Sequence, residues 1–145
     1  MGTIWLHYLN AMTLLEESRF LSEAMELNEG HIIPTECTIE TFKTIYKHTD
    51  AKSVLEIGFN AGHSAFTVLS LFDDVTYHSV DIGQYEHTEV NAAALSDMFL
   101  ERFRFDKLDS KHLDISLVSG YDMVFVDGDH SVEGASVDLQ KCNKA

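Results

Sequence analysis

The chain has 145 residues, 45% of them hydrophobic, with one proline and a formal net charge of −14. That length gives a single domain with room for a real core. Acids outnumber bases in every third, 8 to 3 over residues 1–50, 7 to 1 over 51–100 and 9 to 6 over 101–145, so no basic patch emerges, and composition argues against nucleic acid or an anionic membrane surface as a partner.

The N-terminal Met1-Gly-Thr-Ile-Trp-Leu-His lacks a basic segment followed by a long apolar run, and no stretch reaches the length of a membrane span. The expectation is a cytoplasmic protein. Its two cysteines, Cys37 and Cys142, lack metal-ligand spacing and read as reduced thiols. The first element is an amphipathic helix over 10–28. Leu14, Leu21 and Met25 share a stripe, most of Glu16, Glu17, Glu23 and Glu26 lie off it, and Gly30 is a stop signal. Pro34-Thr35 opens a second helix with Phe42, Ile45 and Tyr46 as its apolar face. Residues 1–50 thus read as a helical cap and residues 51–145 as a ligand-binding domain.

From Ser53 the pattern alternates. Strands are expected at 53–57, 75–80, 103–107 and 122–126, helices at 63–72, 86–101 and 131–142, and a short turn at 109–114. Such alternation predicts an α/β fold, a Rossmann-like parallel sheet built from right-handed crossovers. Strands one and four, V-L-E-I and M-V-F-V, are continuous apolar runs suited to a sheet centre. Strand three, Arg102-Phe-Arg-Phe-Asp-Lys, alternates and suits an edge. The expected order is 3-2-1-4, with a ligand at the carboxyl ends of strands one and four, where the order reverses.

The stretch V-L-E-I-G-F-N-A-G at 54–62 carries the most information. A strand feeds a turn held by Gly58 and Gly62, and a helical pattern begins at once. Glycines permit close backbone approach, and a helix N-terminus offers N–H groups and the positive end of a dipole. Asp81 ends the next strand about 20 residues on, the spacing at which an acid reaches a ribose hydroxyl. Its other reading is a turn acid ahead of Gly83. A dinucleotide fingerprint would carry a middle glycine for the pyrophosphate, but Asn60 stands there. Glu56, beside the loop, favours a ligand with positive charge, and S-adenosylmethionine (SAM) has one without a phosphate. Glu56 either holds the ligand ammonium or caps loop N–H groups. His63 either touches the ligand carboxylate or covers the loop. The histidines at 7, 31, 48, 78, 87 and 112 lack metal-ligand spacing and receive no role.

The segment E-I-G-F-N-A-G-H-S-A at 56–65 resembles motif I of the class I SAM-dependent methyltransferases. S-V-D-I-G at 79–83 resembles their second-strand acid motif, and F-V-D-G-D-H-S-V-E-G-A at 125–135 the fourth-strand motif of a small-molecule subgroup that reads D-G-D-H-S-Y-E-G. The likeness covers about residues 30–145, with Asn60 where many members have glycine and Val132 where the subgroup often has tyrosine. It implies methyl transfer from SAM to a small-molecule acceptor, most simply at oxygen, with N-terminal helices over the cofactor or substrate. It places Asp109 and Ser110 near the adenine amine, although both also suit the cap of a short turn. It places Asp127 and His130 between donor and acceptor. His130 would be the base, since imidazole titrates near neutral pH. Alternatively Asp127 binds Mg²⁺, although one carboxylate is few ligands for that ion. In a third reading Asp129 and Ser131 cap the last helix and His130 lies on the surface. The family has seven strands and this sequence supplies four. Strand four then becomes an apolar edge, expected of a truncated chain or of a homo-oligomer that covers it. A SAM-binding fragment without catalysis and an NAD-binding domain are the alternative functions.

Overall fold

The computed structural model describes residues 35–143. The expected helix at 10–28, Gly30 and Pro34 lie outside the described residues. Thr35 caps helix α1 (Glu36–Thr49), its side chain accepting from the Thr38 N–H, and Asp50 closes it in the left-handed conformation. Ile39, Phe42 and Tyr46 are its buried face. The sequence pattern put Ile45 there, but Ile45 is 38% exposed. The true stripe starts one turn earlier, at Ile39.

Four strands follow: β1 (Ser53–Ile57), β2 (Thr76–Asp81), β3 (Phe103–Lys107) and β4 (Met123–Val126). They form one parallel sheet in the order β3-β2-β1-β4. This is the expected Rossmann-like α/β arrangement. Between and after them come α2 (His63–Leu71), α3 (Glu86–Phe99), α4 (Ile115–Val118) and α5 (Val132–Cys142). The pattern missed α4, because one turn is too short to show a period. Strand β2 runs one residue later than expected, so Asp81 is its last residue, opposite Lys107. Strand β4 starts at Met123, because Asp122 is used otherwise. Its carboxylate accepts from the N–H groups of Lys52 and Ser53 and from the Ser53 hydroxyl, each at 2.9 Å. That clasp joins the start of β4 to the start of β1.

Side chains alternate across the strands and divide the core in two. On one face Val54, Tyr77 and Phe103 pack with Ile39, Phe42 and Tyr46 of α1, Phe66 and Leu69 of α2 and Leu95 of α3. On the other, Leu55, Ile57 and Val80 pack with Leu113, Val118 and Cys142. Helices α1 to α3 thus cover one face, and α4 and α5 the other. The change of side falls between β3 and β4, and it opens a crevice between the ends of β1 and β4. Among the described residues β4 pairs with β1 alone, and all its residues are half-buried.

Glu56 is a polar member of the first face. It is 1% exposed, and its carboxyl oxygens accept from the Tyr77 hydroxyl at 3.1 Å and the Ser79 hydroxyl at 2.7 Å. Burial disfavours the charged form and outweighs both hydrogen bonds, raising its pKa to about 8. A carboxyl whose pKa is raised on folding holds its proton in the native state where the unfolded chain has lost it. Stability therefore falls as pH rises from about 4.5 to about 8. Glu56→Gln keeps the shape and removes the titration. Denaturant melts across that window should give a flatter stability profile for the variant, and the two proteins should differ least at the acid end.

Candidate active site

The ends of β1, β2, β3 and β4 and the loops after them enclose a cleft of about 520 Å³, within the range of small-molecule sites. The first wall is the loop 58–62. Gly58, Asn60 and Gly62 all have positive φ, at 98°, 48° and 85°. Asparagine tolerates that region better than most side chains. Three partners fix the loop. The Asp81 carboxylate accepts from the N–H groups of Phe59 at 2.8 Å and Asn60 at 2.9 Å. Asn91 on α3 donates to the Ala61 carbonyl at 3.1 Å. The His87 ring meets the Asn60 side-chain oxygen at 2.9 Å.

The glycines serve the packing of the protein itself. A Cβ on Gly58 would lie 2.2 Å from the Asp127 carbonyl oxygen, so its bare Cα lets the loops after β1 and β4 touch. A Cβ on Gly62 would meet the Phe59 ring at 2.4 Å. Gly58 lines the cleft, but Gly62 does not. Gly62 caps α2 without a side-chain acceptor, and His63, buried at the first helical position, lines the cleft together with Ser64.

Glu56 lies behind the cleft, not along it. Its carboxyl serves Tyr77 and Ser79 rather than loop N–H groups, so neither expected role describes its position. Its raised pKa also weakens the case it made for a cationic ligand. Other acids take its place: Asp81, Asp109, Asp127, Asp129 and Asp138 all line the cleft. Among the described residues Lys111 is the Lys or Arg beside them. A pyrophosphate would meet repulsion there.

Asp81 combines two positions. It lines the cleft, and its other oxygen accepts from the Gly83 N–H at 2.7 Å, as a turn acid would. Asp109 caps a 3-10 turn at Ser110–His112 through the Lys111 N–H, and both Asp109 and Ser110 line the cleft. Asp129 accepts from the Ser131 N–H at 2.8 Å, and the Ser131 hydroxyl accepts from the Gly134 N–H at 3.0 Å, which caps α5. Hydrogen bonds to the charged form lower the pKa of Asp129. His130 is not an isolated surface residue: its Nε2 lies 3.2 Å from Asp127 Oδ1, although 64% of its side chain is exposed.

Among the described residues no group of three or more His, Cys, Asp or Glu side chains could hold a metal ion. Asp127 brings one carboxylate, too little for Mg²⁺, which needs several oxygen ligands. The described residues do not fit that ion.

Sequence reasoning missed Tyr85, His87, Lys111 and Asp138. His87 had been set aside with the histidines that lack metal spacing, yet it supports Asn60 and stacks on Tyr85, with ring centroids 5.3 Å apart. The signal for Asp138 was an acid four residues after Gly134 on the inward stripe of α5.

The chain matches the family described as "Methyltransferase domain" over residues 55–145. It belongs to that family. No curated protein matches it. Among solved structures it is similar to a caffeoyl-CoA O-methyltransferase-like protein from Staphylococcus aureus, with 20% identity and a TM-score of 0.65, over 88% of this chain and 58% of that one. It is also similar to EvdMO1, with 18% identity and a TM-score of 0.56, over 95% of this chain and 34% of that one. At these identities the likeness is one of fold. The chain spans little more than half the length of the first and about a third of the second.

Asp81 should matter for stability before any ligand binds. Asp81→Ala strands three backbone N–H groups and should cost about 1–3 kcal/mol in urea unfolding. Asp81→Asn keeps one acceptor oxygen and should lose less.

Proposed function

We propose that the protein transfers a methyl group from SAM to the oxygen of a small-molecule acceptor. The observation that carries this reading is the Asp127–His130 pair in the crevice between β1 and β4, in a chain of a methyltransferase family. Bound SAM supplies a methyl group activated on a sulfonium. The protein's task is then to hold two molecules in line and manage one proton. Asp81 receives the ribose through Oδ1, which keeps one acceptor site beyond the Gly83 N–H, while Oδ2 is taken by Phe59 and Asn60. Asp109 and Ser110 face the adenine. The uncapped start of α2 receives the carboxylate end of the ligand, with His63 beside it.

His130 takes the acceptor's proton. A carboxylate only accepts, so Asp127 takes the Nε2 hydrogen and leaves Nδ1 basic. The exposed ring can meet an acceptor arriving from solvent. A second reading is a SAM-binding unit without catalysis of its own, favoured by that same exposure. An NAD-binding domain is the third. Asn60 in place of a middle glycine and the acid-rich lining speak against it.

Calorimetric titration separates these readings. S-adenosylhomocysteine should bind and raise the melting temperature by linkage, and tighter binding of NAD would sink the proposal. In an active preparation His130→Ala should lower turnover by about 10²–10⁴, the usual share of general-base catalysis, with little change in SAM affinity. Activity indifferent to His130→Ala would leave positioning alone as the mechanism. A second copy pairing along the side of β4 that no described strand occupies belongs to the same proposal. Light scattering should show self-association, and a monodisperse monomer at high concentration would count against it.

A further inference from the structure

Asp138 is the most unusual acid of the cleft. It is 2% exposed, and its Oδ2 is shielded from solvent with no hydrogen-bond partner among the described residues. Leaving a buried carboxylate oxygen without a donor costs free energy, and native folds rarely keep one without a use. The nearest lysine in sequence does not relieve it. Lys141 Nζ donates instead to the carbonyls of Ser110 and Lys111. Asp138 nevertheless borders the cleft, on the wall that α5 and the 127–131 loop form together. The loop after β4 passes beside it: a Cβ built on Gly128 would stand 3.4 Å from Asp138 Oδ2, an ordinary contact.

We propose that Asp138 is a ligand-binding carboxylate that accepts a hydrogen bond from an N–H group of the molecule in this cleft. The inference rests on the SAM reading of the cleft, since that ligand offers two such donors, the adenine amine and the amino-acid ammonium. Lys141 ties α5 to the turn at 110–113, so Asp138 lies on the side of the cleft where Asp109 and Ser110 also stand. The orphaned oxygen is the cost of a site shaped for its ligand: function retains a group that folding alone would discard.

The test is calorimetric titration of the 145-residue chain and of Asp138→Asn and Asp138→Ala with S-adenosylhomocysteine, adenosine and methionine, beside melting of each ligand-free protein. Asp138→Ala should weaken S-adenosylhomocysteine about tenfold or more, the usual loss for a hydrogen bond to a charged group. Asp138→Asn, which keeps the shape and one acceptor, should lie between. The ligand-free Asn variant should melt at or above the wild-type temperature. Loss with adenosine assigns the bond to the amine, and loss with methionine assigns it to the ammonium. Unchanged S-adenosylhomocysteine affinity in both variants would overturn the role of Asp138 and leave the cofactor reading standing. Lower melting temperatures of both ligand-free variants would also overturn it, by showing a partner within the protein. Failure of the wild type to bind S-adenosylhomocysteine would remove the cofactor reading and this inference with it.

Discussion

The Asp81 carboxylate reaches from the end of β2 to the loop after β1 and takes the hydrogens of Phe59 and Asn60. A loop with positive φ at Gly58, Asn60 and Gly62 cannot pair its backbone as a helix or strand does. Some side chain must supply the missing acceptor, and Asp81 does so while keeping its second oxygen for Gly83. With that loop fixed, α2 starts in a set direction and Gly58 meets the backbone of Asp127 and Gly128. The cleft, the placing of His63 and the approach of the β4 loop all follow. Such a wall is set before a ligand arrives, which spares the ligand the cost of ordering it.

The parallel sheet and its order were legible because the signals were local and repeated. Apolar runs at 53–57 and 122–126, an alternating run at 103–107 and helices between them leave few topologies. Boundaries were less legible. Asp122 reads as the start of a strand, yet its carboxylate binds Lys52 and Ser53, about 70 positions earlier, a contact no local pattern carries. The same limit explains Ile45, whose apolar character fits a helix face that the fold turns towards solvent.

In the site, Asp81, reached by its spacing, and Asn60 line one cleft with Asp109, Ser110, Asp127 and His130, to which the resemblance pointed. Glu56 and Gly62 do not, and the reasons are physical. In a strand, side chains alternate in direction, so an acid two residues before a loop glycine can point into the sheet packing rather than along the strand end. Glu56 does, and its partners Tyr77 and Ser79 lie on the neighbouring strand at the same face. Gly62 is required by the ring of Phe59, three residues before it. The place of Asp138 on the inward stripe of α5 was readable, but its lack of a hydrogen-bond donor was not, because that depends on what surrounds it in the fold.

Lys141 has a mechanical consequence. Its ammonium reaches the carbonyls of Ser110, Lys111 and Leu113 and so bolts the last helix to the turn after β3. The two pieces lie on the same face of the sheet but follow strands at its two ends, the turn after β3 and the helix after β4. Lys141 thus reaches across the four-strand sheet and ties the β4 side of the crevice to the β3 side. Neutralising that one ammonium, by acetylation for instance, would take away the donor those three carbonyls share and remove the tie across the sheet.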